Sequence, residues 1–229
     1  MEQMVGIVTV LMVALLAPSA QAVHDTGAGK VYRLEVEQDV WLEGTANRNS
    51  GPNGKWLIVA KHPEYPNKRS LVQFENLPSS CPYSKIQSAK MYLYYDYAHK
   101  AFGHTITQTP FIPRCLQLFL VKKSWKEAEA TSIKRDYSSK WCTPYLRLYG
   151  CDTEVFPEPD TVMIFPLRPR NDFVEFDVTN AVKRWKYGLP NHGLLIRATN
   201  ELAAGRDIRF ASNAADSSKH AYILVLCSY

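Results

Sequence analysis

Most of the chain has the alternating hydrophobic pattern of β-strands. In "VYRLEVEQDVWLEG" apolar side chains recur at every second position, with one slip near Arg33. Eight further runs are separated by Gly, Pro, Asn and Ser: "KWLIVAK", "RSLVQFENLP", "SKIQSAKMYLYYDY", "RCLQLFLVKKSW", "FVEFDV", "HGLLIRA", "DIRFAS" and "AYILVLCSY". Successive side chains of a strand point to opposite faces of the sheet. The pattern therefore predicts an all-β, jelly-roll-like antiparallel sandwich of about nine strands.

One stretch, "FDVTNAVKRWKYGLPNHGLLIRA", has a helical period instead. Its apolar stripe follows the i, i+3, i+4, i+7 spacing of a helix face: Val178, Ala181, Val182 and Trp185. Asp177 or Thr179 can cap the helix N-terminus, and Gly188 can take the positive φ that ends many helices. We predict one short helix that directs Trp185 inward and closes one end of the sandwich.

Residues 126–170 are less regular and contain several prolines: Pro157, Pro159, Pro166 and Pro169. Long loops within a compact domain are usually functional or held by disulfides. This stretch is predicted to be a loop-rich insert that lies over the sandwich, with one short strand at Val162–Phe165.

The first residues, "MVGIVTVLMVALLAPSAQA", have the pattern of a secretory signal peptide. An apolar run from Val5 to Leu16 precedes small residues at Ala20 and Ala22. The run is too short to cross a membrane as a helix, which needs about 20 apolar residues. We expect a signal peptide over 1–22, a single secreted domain over 23–229, an extracellular location and no membrane span.

The net charge of the chain limits the classes of molecule that it is expected to bind. The chain has 27 Lys and Arg against 22 Asp and Glu, a net charge of +5. This mild excess favours anionic partners such as acidic polysaccharide, and it is far below the basic density of a nucleic-acid-binding protein. The basic residues cluster in three groups: Lys61, Lys68 and Arg69; Arg168 and Arg170; Lys183, Arg184 and Lys186.

The five cysteines are Cys81, Cys115, Cys142, Cys151 and Cys227. In an oxidising compartment most of them should form disulfides. Cys142 and Cys151 flank the hairpin-sized "TPYLRLYG" and are predicted to pair, whereas Cys227 needs Cys81 or Cys115. The fifth thiol is either buried and inert or joins a second chain in a disulfide-linked multimer.

The sequence contains few residues arranged as a catalytic or metal-binding motif. No G-x-S-x-G, H-E-x-x-H, P-loop or G-x-G-x-x-G motif occurs, so we predict no catalytic residues. We expect no cofactor other than a structural calcium ion. Four carboxylates could supply its oxygen ligands, although no EF-hand loop is present: Asp39, Asp160, Asp172 and Asp207.

The strand "KMYLYYDY" is the predicted ligand-binding element. If its alternate apolar side chains face the core, then Lys90, Tyr92 and Tyr94 face outward. The two tyrosines lie about 7 Å apart, which suits stacking on successive sugar units, and Lys90 could pair with a uronate. The alternative is that another part of the protein covers these rings.

Several stretches resemble, in order, the DNRLRE-type domain, a secreted β-sandwich related to carbohydrate-binding module family 96. They are "DVWLEGTANRNSGPNGKWLIVA", "RSLVQFENLPSSCPYSKIQSAKMYLYY", "LQLFLVKKSWKEAEAT", the helical stretch quoted above and "IRFASNAADSSKHAYILVLCSY". The chain differs in its five cysteines, its long insert and Glu75, where the family often has Asp. The resemblance implies a β-sandwich with a role outside the cell.

The functional expectation is a secreted, non-enzymatic protein that resembles a carbohydrate-binding module and binds acidic or structural polysaccharide. One alternative is a structural component of an extracellular, mineral-associated organic matrix. The second alternative is a polysaccharide-active enzyme, a lyase or hydrolase, with dispersed catalytic residues.

Overall fold

The computed structural model describes residues 22–25, 27, 29–44, 53–59, 68–95, 115–142, 161–164, 172–198 and 208–229. The strands are β1 (Ala22–Asp25), β2 (Gly29–Glu43), β3 (Trp56–Val59), β4 (Lys68–Phe74), β5 (Ile86–Tyr95), β6 (Cys115–Leu120), β7 (Thr161–Ile164), β8 (Asp172–Asp177), β9 (Leu194–Ala198), β10 (Ile208–Ala211) and β11 (Tyr222–Ser228). The one α-helix in this part is α1 (Thr179–Tyr187). The predicted all-β class is confirmed; the strand count exceeds nine by β1 and by β7, the short strand of the insert.

The long strand β2 belongs to both layers of the structure. Its residues 29–35 pair with β11, and residues 36–43 pair with β4 after a register shift between Val36 and Gln38. The first sheet contains β1, β2, β11, β5, β8, β10 and β3, and the second contains β2, β4, β9, β6 and β7. All of these pairs are antiparallel. The two sheets form the layers of a sandwich.

The main core lies between the two layers. The first sheet contributes Leu34, Met91, Phe176, Phe210 and Ile223, and the second contributes Phe74, Leu118 and Ile196, among others. Each of these side chains is almost completely buried. Burial of a large apolar side chain contributes about 1.5–3 kcal/mol, so this shared core holds the layers together.

A second apolar cluster covers the outer face of the second sheet. Trp125 and Trp141, from the segment after β6, pack against side chains of that sheet, which include Val40, Leu42, Leu71, Phe119 and Leu195. The Trp125 indole N–H donates to the His192 carbonyl at 2.9 Å, and that of Trp141 donates to the Thr131 carbonyl at 2.8 Å. Trp125, Ala130 and Trp141 thus lie against the second sheet. The loop-rich insert over 126–170 stays a prediction, because residues 143–160 and 165–170 lie outside the described part.

Helix α1 begins beside β5 and packs into the main core. Val178, Ala181 and Val182 are buried, and Trp185 is partly buried against the same cluster. Gly188 follows the helix with a φ of 121°, in agreement with the sequence prediction. Among the described residues no helix has the length and hydrophobicity needed to cross a lipid bilayer.

Asp177, one of the two predicted capping residues, bonds to the helix start from one residue before the N-cap position. The N-cap position is Val178, which makes no side-chain capping bond, because its side chain is needed in the core. Asp177 lies one residue earlier and accepts from the Thr179 N–H at 3.0 Å. The Thr179 hydroxyl oxygen instead accepts from the Ala89 N–H at 2.9 Å, and the Val178 N–H donates to the Ala89 carbonyl. The start of the helix is thus bonded to β5.

A disulfide joins Cys81 to Cys227, which are 146 residues apart. This is one of the two predicted partners of Cys227. Cys142 is also disulfide-bonded, and its partner is a cysteine whose side chain lies outside the described part of the chain. The Cys142–Cys151 pair therefore stays a prediction, as does the predicted signal peptide, of which residues 1–21 are not described.

We expect the double substitution Cys81→Ala/Cys227→Ala to lower the free energy of unfolding by about 2–4 kcal/mol. The bridge closes a long loop, and its loss restores conformational freedom to the unfolded chain. Urea denaturation followed by tryptophan fluorescence measures the change. An unchanged midpoint in urea would contradict a stabilising role for this disulfide.

Candidate functional site

The outer face of the first sheet carries the predicted ligand-binding residues. Along β5 the side chains of Ala89, Met91 and Leu93 are buried, whereas Lys90, Tyr92 and Tyr94 are only partly buried. The predicted alternation of this strand is therefore confirmed. Neighbouring strands add further side chains to the same face. We call this set the tyrosine face: Arg33, Lys90, Tyr92, Tyr94, Phe173, Glu175 and Tyr222.

The aromatic rings of the tyrosine face contact one another. Tyr222 lies opposite Tyr92 in the β5–β11 register, and their rings stack with centroids 4.9 Å apart at 18°. Phe173 makes edge contacts with Tyr94 and Tyr222, each with 5.3 Å between centroids. Adjacent strands are about 4.8 Å apart, so residues in register bring their rings together. The result is a continuous aromatic surface across three strands.

Cations also contact these rings. The Arg33 guanidinium lies 3.8 Å from the centre of the Tyr222 ring, and the Lys219 ammonium lies 5.0 Å from that of Tyr94. Cation–π contacts of this kind contribute about 0.5–1 kcal/mol at exposed positions. One face of Tyr222 is therefore occupied by Arg33 and the other by Tyr92. A sugar ring would therefore find the outer edges of this array more accessible than the faces of Tyr222.

Lys90 is already paired with carboxylates. Its ammonium lies 3.2 Å from Asp177 and 3.4 Å from Glu175, and the hydrogen bond to Asp177 raises the pKa of Lys90. The Tyr92 hydroxyl donates to Glu175 at 2.9 Å. Desolvation, followed by this bond to Glu175, raises the pKa of Tyr92 to about 12. A uronate could pair with Lys90 only by displacing these acidic groups.

The charges of the tyrosine face and its margin balance. Arg33 forms an ion pair with Glu35 at 2.5 Å, Lys90 pairs with two carboxylates, and Lys219 contacts a ring. The surface is therefore aromatic, rich in hydrogen-bonding groups and without a local excess of positive charge. Such a surface can stack against sugar rings and accept hydrogen bonds from sugar hydroxyls.

Sequence reasoning did not identify Arg33, Phe173 and Tyr222 as parts of this surface. The alternation in "AYILVLCSY" places Tyr222 on one face of its strand. What the alternation cannot show is which strands become neighbours, and in what register. A search for tyrosines on alternating positions of every predicted strand would have included Tyr222 without pairing it to Tyr92.

The two described carboxylates of the four proposed for calcium lie in different sheets. Asp39 lies in the second sheet and Asp172 at the start of β8 in the first, and Asp160 and Asp207 lie outside the described residues. Within the described ranges no set of three His, Cys, Asp or Glu side chains is placed to hold a metal ion. The calcium ion stays a prediction without a described site.

Asp39 has a different role, as a buried carboxyl group. Its side chain is 2% exposed and accepts from the Asn213 N–H at 2.8 Å. The Asn213 side-chain amide donates to Glu127 at 3.4 Å. Burial raises the pKa of Asp39 to about 8, and burial also raises the pKa of Glu127. Near neutral pH Asp39 is therefore protonated in the folded protein. It lies where β2 contacts the loops that carry Asn213 and Glu127.

We expect the free energy of unfolding to fall as the pH rises from about 4 towards 8. The unfolded chain releases the Asp39 proton near its ordinary pKa of 3.8, whereas the folded chain holds it until about 8. The contribution of Asp39 to the free energy of unfolding is therefore largest below about pH 4. It decreases as the pH rises towards 8, by at most about 1.4 kcal/mol per pH unit. Urea denaturation at pH 5 and pH 8 measures the slope.

Asp39→Asn should flatten this pH dependence, because the amide keeps an acceptor for the Asn213 N–H and cannot ionise. Asp172→Asn, at an exposed position, is the matched control and should leave the slope unchanged. Equal slopes in the wild type and Asp39→Asn would contradict the assignment of the proton to Asp39.

No protein-family model matches the chain, and no curated protein matches it. The resemblance to the DNRLRE-type domain stays a prediction.

Proposed function

We propose that this protein is a secreted, non-enzymatic binding protein that holds a structural polysaccharide against its tyrosine face. The observation that carries the proposal is the continuous array of Tyr92, Tyr94, Phe173 and Tyr222 on the outer face of the first sheet. The second sheet has its corresponding face covered by Trp125, Trp141 and their loop. The two layers thus differ, and the first one presents aromatic side chains where a polymer can reach them.

The shape of the surface favours a polymer over a small sugar. Sites for small molecules are concave and bury most of the ligand surface, whereas the tyrosine face is one side of a sheet. A long chain compensates for shallow contacts because it touches several rings at once. Tyr92 and Tyr94 lie about 7 Å apart along β5, and Tyr222, whose two faces are occupied, adds only its outer edge to the surface.

The charge of the surface favours a neutral, hydroxyl-rich polysaccharide at this face. Lys90 is paired with Asp177 and Glu175, and Arg33 is paired with Glu35. An acidic chain would meet three carboxylates here. A neutral chain would instead donate hydroxyl hydrogen bonds to them while its ring faces contact the tyrosines.

The two alternative functions have less support. A glycosidase-type acid needs a raised pKa, and Asp39 has one, but its burial behind Asn213 keeps it from contacting a substrate. For the matrix alternative, a fifth cysteine left over by two intrachain disulfides could link two chains. Electrophoresis without reducing agent tests this directly, since disulfide-linked multimers would favour the matrix alternative.

We expect Tyr92→Ala/Tyr94→Ala to weaken binding to insoluble neutral polysaccharides about tenfold, because two ring contacts are lost. The measurement is depletion of protein from solution by cellulose, chitin and xylan. Tyr92→Phe keeps the ring and removes only the bond to Glu175, so it should bind almost as the wild type does.

Tyr137→Ala is the matched control, because Tyr137 is 77% exposed and lies in the loop over the other sheet. It should bind normally. Thermal unfolding of each variant shows whether the fold is retained. A folded double variant with unchanged binding, or a wild type that binds none of these polymers, would refute the proposed function.

A further inference from the structure

The outer face of the first sheet continues beyond the tyrosine face to β3. Leu57 of β3 pairs with Phe210 of β10, Phe210 also pairs with Tyr95 of β5, and all three lie in the main core. Side chains alternate along a strand, so Trp56 and Tyr94, each one residue earlier, face the outer side. Because β10 lies between β3 and β5, these two side chains are two strand spacings apart, about 10 Å.

A cleft of about 390 Å³ lies beside Trp56. Its walls come from the start of β3 and from the segment that follows β10. We call it the Trp56 cleft and define it by its lining residues: Lys55, Trp56, Ala214, Ala215, Asp216 and Lys219. Ligand-binding clefts usually have volumes of roughly 300–1,000 Å³. This one can therefore enclose part of a ligand, whereas the tyrosine face is one open side of a sheet.

Lys219 joins the Trp56 cleft to the tyrosine face. Its side chain lines the cleft, and its ammonium lies 5.0 Å from the centre of the Tyr94 ring. Tyr94 in turn makes an edge contact with Phe173. A chain that leaves the cleft past Lys219 therefore reaches the edge of the aromatic array, and the two surfaces can hold one ligand.

The lining of the cleft combines apolar and charged groups. Trp56 and the two alanines supply apolar surface. Asp216 accepts from the Ser218 N–H at 3.0 Å and from its hydroxyl at 2.9 Å, and these bonds hold the pKa of Asp216 below its ordinary value. At neutral pH Asp216 therefore accepts hydrogen bonds, whereas Lys55 and Lys219 donate them. A sugar unit has apolar ring faces and hydroxyls that both donate and accept, so it matches this lining.

Hydrogen bonds hold the two walls of the cleft together. The Ser212 N–H donates to the Lys55 carbonyl at 3.2 Å, and the Ser212 hydroxyl donates to the Gly54 carbonyl. The next residue, Asn213, donates its N–H to the buried carboxyl group of Asp39 at 2.8 Å. The cleft is therefore already formed before a ligand arrives, which reduces the entropic cost of binding.

We propose that the Trp56 cleft is a subsite for a short segment of a neutral polysaccharide, continuous with the tyrosine face. A sugar unit packs against Trp56 and the alanines while its hydroxyls bond to Asp216 and Lys55. The proposal rests on the polysaccharide ligand of the proposed function and adds an enclosed site to an open one. The cleft should therefore bind soluble oligosaccharides, which are too short to contact several rings of the tyrosine face at once.

An acidic chain fits this cleft less well. Asp216 places a carboxylate in the lining, and beyond Lys219 the chain would approach Glu175, which is paired with Lys90. Added salt weakens the attraction between exposed charges. Binding of a neutral oligosaccharide should therefore be the same in dilute and in concentrated salt, whereas binding of an acidic one through the two lysines should weaken.

The test fills the cleft instead of removing its lining. Ala215→Trp adds a large side chain at a partly exposed position of the cleft. Ser79→Trp is the matched control, because it adds the same side chain at an exposed position before the start of β5. The probes are short soluble oligosaccharides of cellulose, chitin and xylan, with binding measured by titration calorimetry. We expect Ala215→Trp to bind about tenfold more weakly and Ser79→Trp to bind as the wild type does.

Trp56→Ala is the second variant and should weaken oligosaccharide binding by a similar factor. Thermal unfolding shows whether each variant keeps the fold. Four results would each overturn the proposal: unchanged oligosaccharide binding in folded Ala215→Trp, an equal loss in Ser79→Trp, no wild-type binding to any of the three oligosaccharides, or tighter, salt-sensitive binding of alginate oligomers.

The two sites fail in different ways. Loss of polymer binding in Tyr92→Ala/Tyr94→Ala, with unchanged oligosaccharide binding in Ala215→Trp, would refute the cleft and keep the proposed function of the tyrosine face. The reverse pattern would refute the tyrosine face as the polymer surface and keep the cleft as a sugar site.

Discussion

The structure depends on the path of β2, a single strand hydrogen-bonded in both layers. Its first half pairs with β11 and its second half with β4. The register shift between Val36 and Gln38 lies where the strand passes from one sheet to the other. Bulges of this kind bend and twist a strand. Because one strand is common to both sheets, their relative position is fixed by main-chain bonds as well as by the core.

This arrangement leaves the two layers with different outer faces. The second sheet is buried on both sides, by the main core and by the Trp125–Trp141 cluster. Such a sheet can hold apolar residues at successive positions, as in "LLI" of β9, where all three are buried. The first sheet keeps alternation from Ala89 to Tyr95 in β5 and throughout β11, with one buried and one half-exposed set. The pattern of burial thus already separates the layer that is buried on both sides from the layer whose outer face is half-exposed.

Much of the fold follows from local patterns in the sequence. The alternating runs predict the strands, the helical spacing of Val178, Ala181 and Val182 predicts α1, and Gly188 predicts its end. Two details depend on tertiary contacts that the local pattern does not contain. Asp177 or Thr179 was expected to cap the helix; Asp177 does accept from the Thr179 N–H, but Val178 occupies the N-cap position itself. Sequence reasoning also left the partner of Cys227 open, since strand order determines which cysteine is adjacent.

The candidate sites were predictable to a smaller extent. Alternation placed Lys90, Tyr92 and Tyr94 on one face, but the carboxylates that pair with Lys90 come from β8, more than eighty residues later. Side-chain direction is a local property, whereas the charge and the shape of a surface depend on which elements become neighbours.

The turn from β8 into α1 has one more consequence, for the edge of the first sheet. β8 pairs with β5 only from Lys90 onward, so the earlier residues of β5 would present free main-chain groups on that side. An unpaired edge of this kind can recruit a strand from another molecule and lead to aggregation. The Ala89 N–H and carbonyl are instead bonded by Thr179 and Val178. The helix start thereby occupies the edge where a foreign strand would otherwise add to the sheet.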